Sequence, residues 1–224
     1  MVPLYRDESL LAVAKPSGLA VHRGEARDPI TAVDLARALA GGRVFPVHRL
    51  DRATSGVLLF ALQPESARLL GAAFAEGRVH KRYLALVRGI PREPAGLIDH
   101  PIQRREDGPR VPARTAWRTL ATVTAPGPYA LVEARPETGR RHQVRRHLKH
   151  LGHPLIGDVR YGKGDHNRLF RQSYDLHRLA LHAATLELRH PLTGAPVRVE
   201  AELPADFRAP LLRLGIPERA WRED

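Results

Sequence analysis

The segment His48-Arg49-Leu50-Asp51-Arg52-Ala53-Thr54-Ser55-Gly56 places one carboxylate between two arginines, immediately before an apolar run. Guanidinium groups so close favour the ionised acid, the form that a nucleophile or an anion partner needs. An aspartate that caps a turn and pairs with arginine at the surface uses the same residue types, so spacing alone leaves both readings open. A second stretch, from Thr138 to Leu151, is rich in Arg, Lys and His. As a helix it turns Val144, Leu148 and Leu151 to the core, sets Arg145 at the core edge, and leaves Arg141 and Arg146 outside. Tyr83 lies in an apolar strand pattern, where a core aromatic is the plain reading. His147, His150 and His153 recur every three residues. With no His-Glu-x-x-His pattern, no cysteine, and Pro154 taking His153 off the helix, no metal site is expected.

The elements that must hold these residues follow from periodicity and punctuation. Leu10 to Ala14 reads as a buried strand stopped by Pro16-Ser17-Gly18. Ala32 to Leu39 reads as a helix capped by Thr31 and ended by Gly41-Gly42. Ser55 to Leu62 is dense enough in apolar residues for a strand buried on both faces, and Pro64 to Gly77 is a helix with proline in its first turn. Strands are predicted at Arg82 to Arg88, Ala95 to Pro101, Thr115 to Val123 and Tyr129 to Ala134, with a polar loop at Arg104 to Gly108. A helix opens at Thr138-Gly139 and runs to Leu151, and residues 158–175 form a polar surface loop. Strands at Leu179 to Leu188 and Ala195 to Ala201 flank a turn at Pro191 to Gly194, and a last helix covers Phe207 to Leu214. Strands outnumber helices and often follow one another directly, which predicts an α+β fold with a largely antiparallel or mixed sheet. No linker cuts the chain, so one domain over residues 1–224 is expected.

Composition narrows the partners. The chain has 224 residues and a net charge of +12, with no cysteine, which excludes a disulfide scaffold, a Cys-ligated zinc and a thiol nucleophile. Between Arg135 and His190 stand 12 Lys/Arg against 5 Asp/Glu, together with 8 of the 12 histidines. So local a surplus suits a surface that meets phosphates, although a solvated basic face is an equally ordinary cause. The longest aliphatic or aromatic stretch, Val57 to Leu62, is far short of the ~20 residues that span a bilayer. Nothing at the amino terminus reads as a signal peptide, so a cytoplasmic protein without membrane association is expected.

The Asp51 segment resembles the signature of the RluA-type pseudouridine synthases, which isomerise uridine within RNA. Three further segments resemble that family's motifs in the same order. They are Lys15-Pro16-Ser17-Gly18-Leu19 with Val21-His22, Lys81 to Val87, and Thr138 to Leu148 followed by His153-Pro154-x-Ile156-Gly157-Asp158. The resemblance implies a single pseudouridine-synthase domain with no preceding S4 domain, a mixed and mostly antiparallel central sheet, flanking helices and a central cleft. It also implies that Asp51 is catalytic, that Arg145 pairs with it, and that Tyr83 stacks on the target base. His48, Arg49 and Arg52 would fill the space of a flipped nucleotide or meet its phosphates. Arg140, Arg141, Arg146, Lys149, Lys163 and Arg168 would grip the RNA backbone. No cofactor is implied, because the isomerisation gains and loses no atoms.

Within the family the chain is most similar to the branch that modifies uridine 65 of certain tRNAs, so tRNA is the expected partner of a monomeric enzyme. Asp158-Val159-Arg160-Tyr161-Gly162 has the ending of the wider family, and the Pro101 to Thr115 region is short for the branch. Both leave the target uridine open, with ribosomal RNA, or RNA binding without catalysis on the same fold, as the alternatives.

Overall fold

A computed structural model describes residues 1–23, 28–103 and 108–222. In chain order the first elements are β1 (Val2–Arg6), β2 (Leu10–Lys15), α1 (Ala32–Ala40), β3 (Phe45–Pro46), β4 (Ser55–Ala61) and α2 (Pro64–Ala75). Then come β5 (His80–Arg88), β6 (Ala95–Asp99), β7 (Ile102–Gln103), β8 (Arg110–Val111), β9 (Arg114–Val123) and β10 (Tyr129–Pro136). The last are α3 (Gln143–His150), α4 (Gly164–Tyr174), β11 (Leu181–Arg189), β12 (Pro196–Glu200) and α5 (Ala205–Arg213). They form two compact units, Met1–Lys81 with Ala183–Glu202, and Arg82–His182 with the segment from Leu203 onward. Antiparallel strand pairs with helices beside them give each unit the α+β character that the sequence predicts.

In the first unit the strand order is β1-β2-β4-β11, with β12 on β11 and β3 on β4. Every residue of β4 is buried, as its unbroken apolar run requires of a central strand. Leu10, Ala12, Val57, Leu59 and Ala61 join Leu70 of α2 and Leu186, Val197 and Val199 in one apolar cluster. Thr31 caps α1 in a reciprocal box with Asp34, and Gly41 ends it in the left-handed region. Gly56, the second residue of β4, takes φ 118°, and a side chain there would run into the Ala183 carbonyl of β11. Only glycine allows that approach.

The connection from β3 to β4, which carries Asp51, is pinned by His48. Its Nε2 accepts the Leu59 N–H at 2.9 Å, and its ring stacks on Phe74 of α2 at 4.8 Å. Burial, helped by the nearby positive charge of Lys81, pushes the imidazole down to about 3, so it stays neutral with its proton on Nδ1.

In the second unit β5-β10-β9-β6 run side by side, and β7 and β8 make a separate two-stranded ribbon. Glu133 of β10 is buried in the sheet with Arg82 of β5 at 2.6 Å, and Arg118 and Arg135 close on the same carboxylate. Burial pushes Glu133 up, but hydrogen bonds from Arg118, Arg82 and Arg135 outweigh it and hold the acid at about 2.

Several boundaries differ from the sequence expectation. Residues 164–174 are helix α4 rather than loop. Phe170 is its one fully buried residue, stacked on Tyr174 and edge-on to Tyr129, so the helix carries almost no apolar period. It has no side-chain cap and ends on Asp175 in the left-handed region where glycine is usual. Helix α3 starts at Gln143, not Thr138, because His142 takes φ 55° and the Thr138 hydroxyl donates to Gln143 Oε1 instead of capping. Arg140 and Arg141 therefore precede the helix.

Two outcomes test this framework. Gly56→Ala is expected to destabilise the protein by about 2–4 kcal/mol in urea unfolding, since neither the backbone angle nor the Ala183 carbonyl can yield cheaply. The His48 signal lies between pH 6.5 and 5, above the range where carboxylates of the unfolded chain titrate. There the unfolded histidine takes a proton that the folded one refuses, so the contribution of His48 to stability is constant above pH 6.5 and falls on acidification by up to about 1.4 kcal/mol per pH unit. His48→Gln keeps an acceptor for Leu59 and is expected to reduce that slope by about one proton; an unchanged slope contradicts the assignment.

Candidate active site

The Asp51 loop is held through its backbone. Leu50 is buried beside the half-buried Asp51, and the Thr54 N–H closes a turn on the Asp51 carbonyl at 3.0 Å. The next two carbonyls are taken by the Lys15-Pro16-Ser17-Gly18 segment. Arg52 O accepts the Gly18 N–H at 2.9 Å and Lys15 Nζ at 3.1 Å, and Ala53 O accepts the Ser17 hydroxyl at 2.8 Å. Lys15 is 1% exposed, and its ammonium also donates to Pro16 O and Leu19 O, each at 2.8 Å. Three carbonyls match the three protons of an ammonium, which makes its burial tolerable. The first motif thus serves as the clamp of the second, a role that the sequence does not disclose.

The flanking residues divide. Arg49 is exposed. Arg52, also exposed, pairs with Asp28. His48, expected against RNA, has its ring against the Leu59 amide and Phe74, which makes it a pin of the loop.

In the second unit Tyr83 is half-buried on β5 between buried Arg82 and Leu84, opposite Ala134. Arg145 is buried on α3 and forks onto Asp158, Nε to Oδ2 at 2.7 Å and Nη2 to Oδ1 at 2.9 Å. Two parallel bonds fix a guanidinium in direction as well as position. Asp158 also accepts the N–H groups of Arg160 and Tyr161, both at 3.0 Å. Burial pushes this acid up, but Arg145 and the two amides prevail and keep it below the usual carboxylate range. Asn167 of α4 holds the turn from behind, donating to Asp158 O at 3.0 Å and accepting the Gly157 N–H at 2.8 Å. Arg145 and Lys149 both lie over the Tyr161 ring, at 5.1 and 5.7 Å. The family resemblance offers Asp51 as the partner of Arg145; inside its own unit Arg145 is also oriented by Asp158.

The three regularly spaced histidines have different partners. His147 meets His100 O at 3.0 Å through Nε2, which must donate, and Thr115 Oγ1 at 2.8 Å through Nδ1. His150 stacks on His100, and His153 bonds the Arg88 carbonyl. Among the described residues no group of three or more His, Asp or Glu is arranged to hold a metal ion, and no helix is long and apolar enough to cross a membrane.

The remaining basic residues lie on the surface of the second unit. Arg140 donates to Pro112 O at 3.1 Å, and Arg146 to Gln103 O at 2.8 Å. Arg141 and Lys163 are exposed, and Arg168 reaches Asp165 at only 3.5 Å.

Comparison with known proteins matches residues 9–150 to the family described as RNA pseudouridylate synthase. The tRNA pseudouridine synthase C of Vibrio cholerae serotype O1 is 39% identical over 240 residues, covering 98% of this chain and 96% of the relative. That of Salmonella typhimurium is 41% identical over 239 residues, covering 98% and 90%. Among solved structures, human RNA pseudouridylate synthase domain containing 4 superposes with a TM-score of 0.78 at 30% identity, over 96% of this chain and 93% of that one. Human RNA pseudouridylate synthase domain containing 1 gives 0.74 at 30% identity, over 91% and 83%. With the family match running through the Asp51 loop and the relatives matched almost end to end, the chain belongs to the RNA pseudouridylate synthase family and is a pseudouridine synthase.

Proposed function

We propose that the protein converts one uridine of a tRNA, uridine 65, to pseudouridine, with Asp51 as the catalytic residue. The support for tRNA is the near-complete match in both directions to relatives named tRNA pseudouridine synthase C. The support for Asp51 is the clamp on its loop, which holds one carboxylate in place through the carbonyls of residues 51–53.

The chemistry suits one fixed acid. The N1–C1′ bond breaks, the uracil turns, and C5 bonds to C1′; C5 then loses its proton to solvent while N1 gains one. Glycoside hydrolysis usually needs two carboxylates, one of them to activate water. Here water at C1′ would leave an abasic site, so a single oriented carboxylate in a water-excluding pocket is the better tool. Asp51 either attacks C1′ or promotes cleavage of the glycosidic bond. Arg145, aimed by Asp158, supplies a fixed positive charge for the anionic groups of the reaction, and Tyr83 packs on the base. The chain acts as one catalytic domain, and the target nucleotide must first leave its stack at a cost of a few kcal/mol. Arg49, Arg52, Arg140, Arg141, Arg146, Lys149, Lys163 and Arg168 meet the RNA backbone. The enzyme acts as a monomer in the cytoplasm.

Release of tritium from tRNA labelled at uridine C5 measures the reaction. Asp51→Asn is expected to abolish release while tRNA binding survives; turnover by this variant contradicts the role. Asp158→Asn, which unseats Arg145 without touching Asp51, is expected to lower kcat by about 10²-fold with binding retained. Release that persists when uridine 65 alone is replaced contradicts the assigned target.

A further inference from the structure

A cleft of about 330 Å³ opens in the second unit, between the β6–β7 connection, β8, α3 and the turn at Tyr161. Its chemistry is one-sided. Arg110, Arg146 and Lys149 line it with His100, His150 and Tyr161, and its described lining includes no carboxylate. Among the described residues, three fixed positive charges surround this concave space with no carboxylate beside them, an arrangement that suits an anion.

The walls are built before any ligand arrives. His147 lies beneath, and its bond to the His100 carbonyl ties the β6–β7 connection to α3. Thr115 holds the other ring nitrogen, and Gln143 Nε2 donates to that same Thr115 oxygen at 3.0 Å. Arg146 is steadied by the Gln103 carbonyl, and Lys149 by the Tyr161 ring. His100 and His150 are face to face, 3.7 Å between ring centres and 14° from parallel. We propose that this cleft seats a backbone phosphate of the RNA substrate, with the stacked His100–His150 pair as the wall that takes up a proton when the phosphate binds.

Two imidazolium rings cannot share so short a stack cheaply, since like charges ~4 Å apart repel even in water and more strongly at a protein surface, where screening is weaker. Without an anion, burial and then the positive fields of His150, Arg110 and Arg146 hold His100 below the usual histidine range. His147 is likewise held down by its own burial. The charged and titratable groups facing the pair among the described residues are therefore Arg110 from β8, Arg146, His147 and Lys149 from α3, and Tyr161 from its turn. A phosphodiester cancels the repulsion, so binding favours the protonated ring. The sign follows: affinity rises as pH falls from above neutrality toward 6, by up to about tenfold per pH unit for one proton.

This inference rests on RNA being the substrate, and its test separates the two. Binding of the full-length protein to tRNA is titrated by fluorescence anisotropy against salt and against pH. Arg110→Gln and Lys149→Gln are each expected to reduce the log–log salt slope by about 1. Arg68→Gln on α2 is expected to leave it alone; an equal reduction there makes the effect generic and overturns the site. His100→Ala and His150→Ala are expected to match the unaltered protein at high pH and to lose the rise on acidification. His147 holds the His100 carbonyl rather than its ring, so the ring substitution spares that bond.

In parallel, the ring protons of His100 and His150 are followed by NMR through a pH titration with tRNA, with inorganic phosphate, and with neither. Both additions are expected to raise the pKa of His100, tRNA more. A His100 that tRNA does not move, or that only inorganic phosphate moves, overturns the proposal. Tritium release that proceeds while cleft variants bind normally refutes the cleft alone. Cleft-dependent binding without tritium release refutes the enzymatic reading and leaves the cleft standing.

Discussion

An ammonium group taken out of water must be met by acceptors, and in the first unit that requirement falls on Lys15. Removing such an ion from solvent costs several kcal/mol unless its protons are bonded. The acceptors that answer are the carbonyls of Pro16, Leu19 and Arg52. Because the last belongs to the loop of Asp51, satisfying the lysine and placing the carboxylate are one event. Ser17 and Gly18 extend the same seam, and His48 fastens the other side of the loop to β4. A neutral ring suits that pin, since an imidazolium at that place would offer Leu59 a donor where an acceptor is needed.

The second unit applies the same rule with opposite signs. Asp158 is buried with four N–H donors, two of them from the guanidinium of Arg145. Glu133 is buried under three arginines in the middle of the sheet. Buried charges of this kind are poor sources of net stability, because desolvation consumes much of what pairing returns. What they provide is direction. A site held this way is preorganised, so groups need not be rearranged while the glycosidic bond is breaking.

Much of the scaffold was legible where local signals agree. The apolar runs of β2, β4 and β5, the Thr31 cap of α1 and the first-turn proline of α2 all stand where the residues place them. The Asp51 segment was legible as a motif. The residues that orient the site were not, because their bonds join positions distant in sequence: Lys15 to Arg52, Arg145 to Asp158, Asn167 to Gly157. No period records such a bond. The pinning role of His48 was not legible either, because a histidine before an arginine-rich loop has the composition of an RNA contact, and only the bond to Leu59 reveals the pin. Helix α4 escaped because one buried phenylalanine leaves no stripe, and α3 was placed too early because Thr138 has the residue type of a cap without its geometry.

The most direct measurement is made on Lys15→Met, which fills the same buried space without the ammonium. Amide exchange at Gly18 and Thr54 is followed together with the rate of tritium release and the affinity for tRNA. The clamp account predicts a folded protein whose Gly18 and Thr54 amides lose protection, whose kcat drops by about 10²-fold, and whose tRNA affinity is kept. A folded variant with full protection at both amides and an unchanged kcat would contradict it.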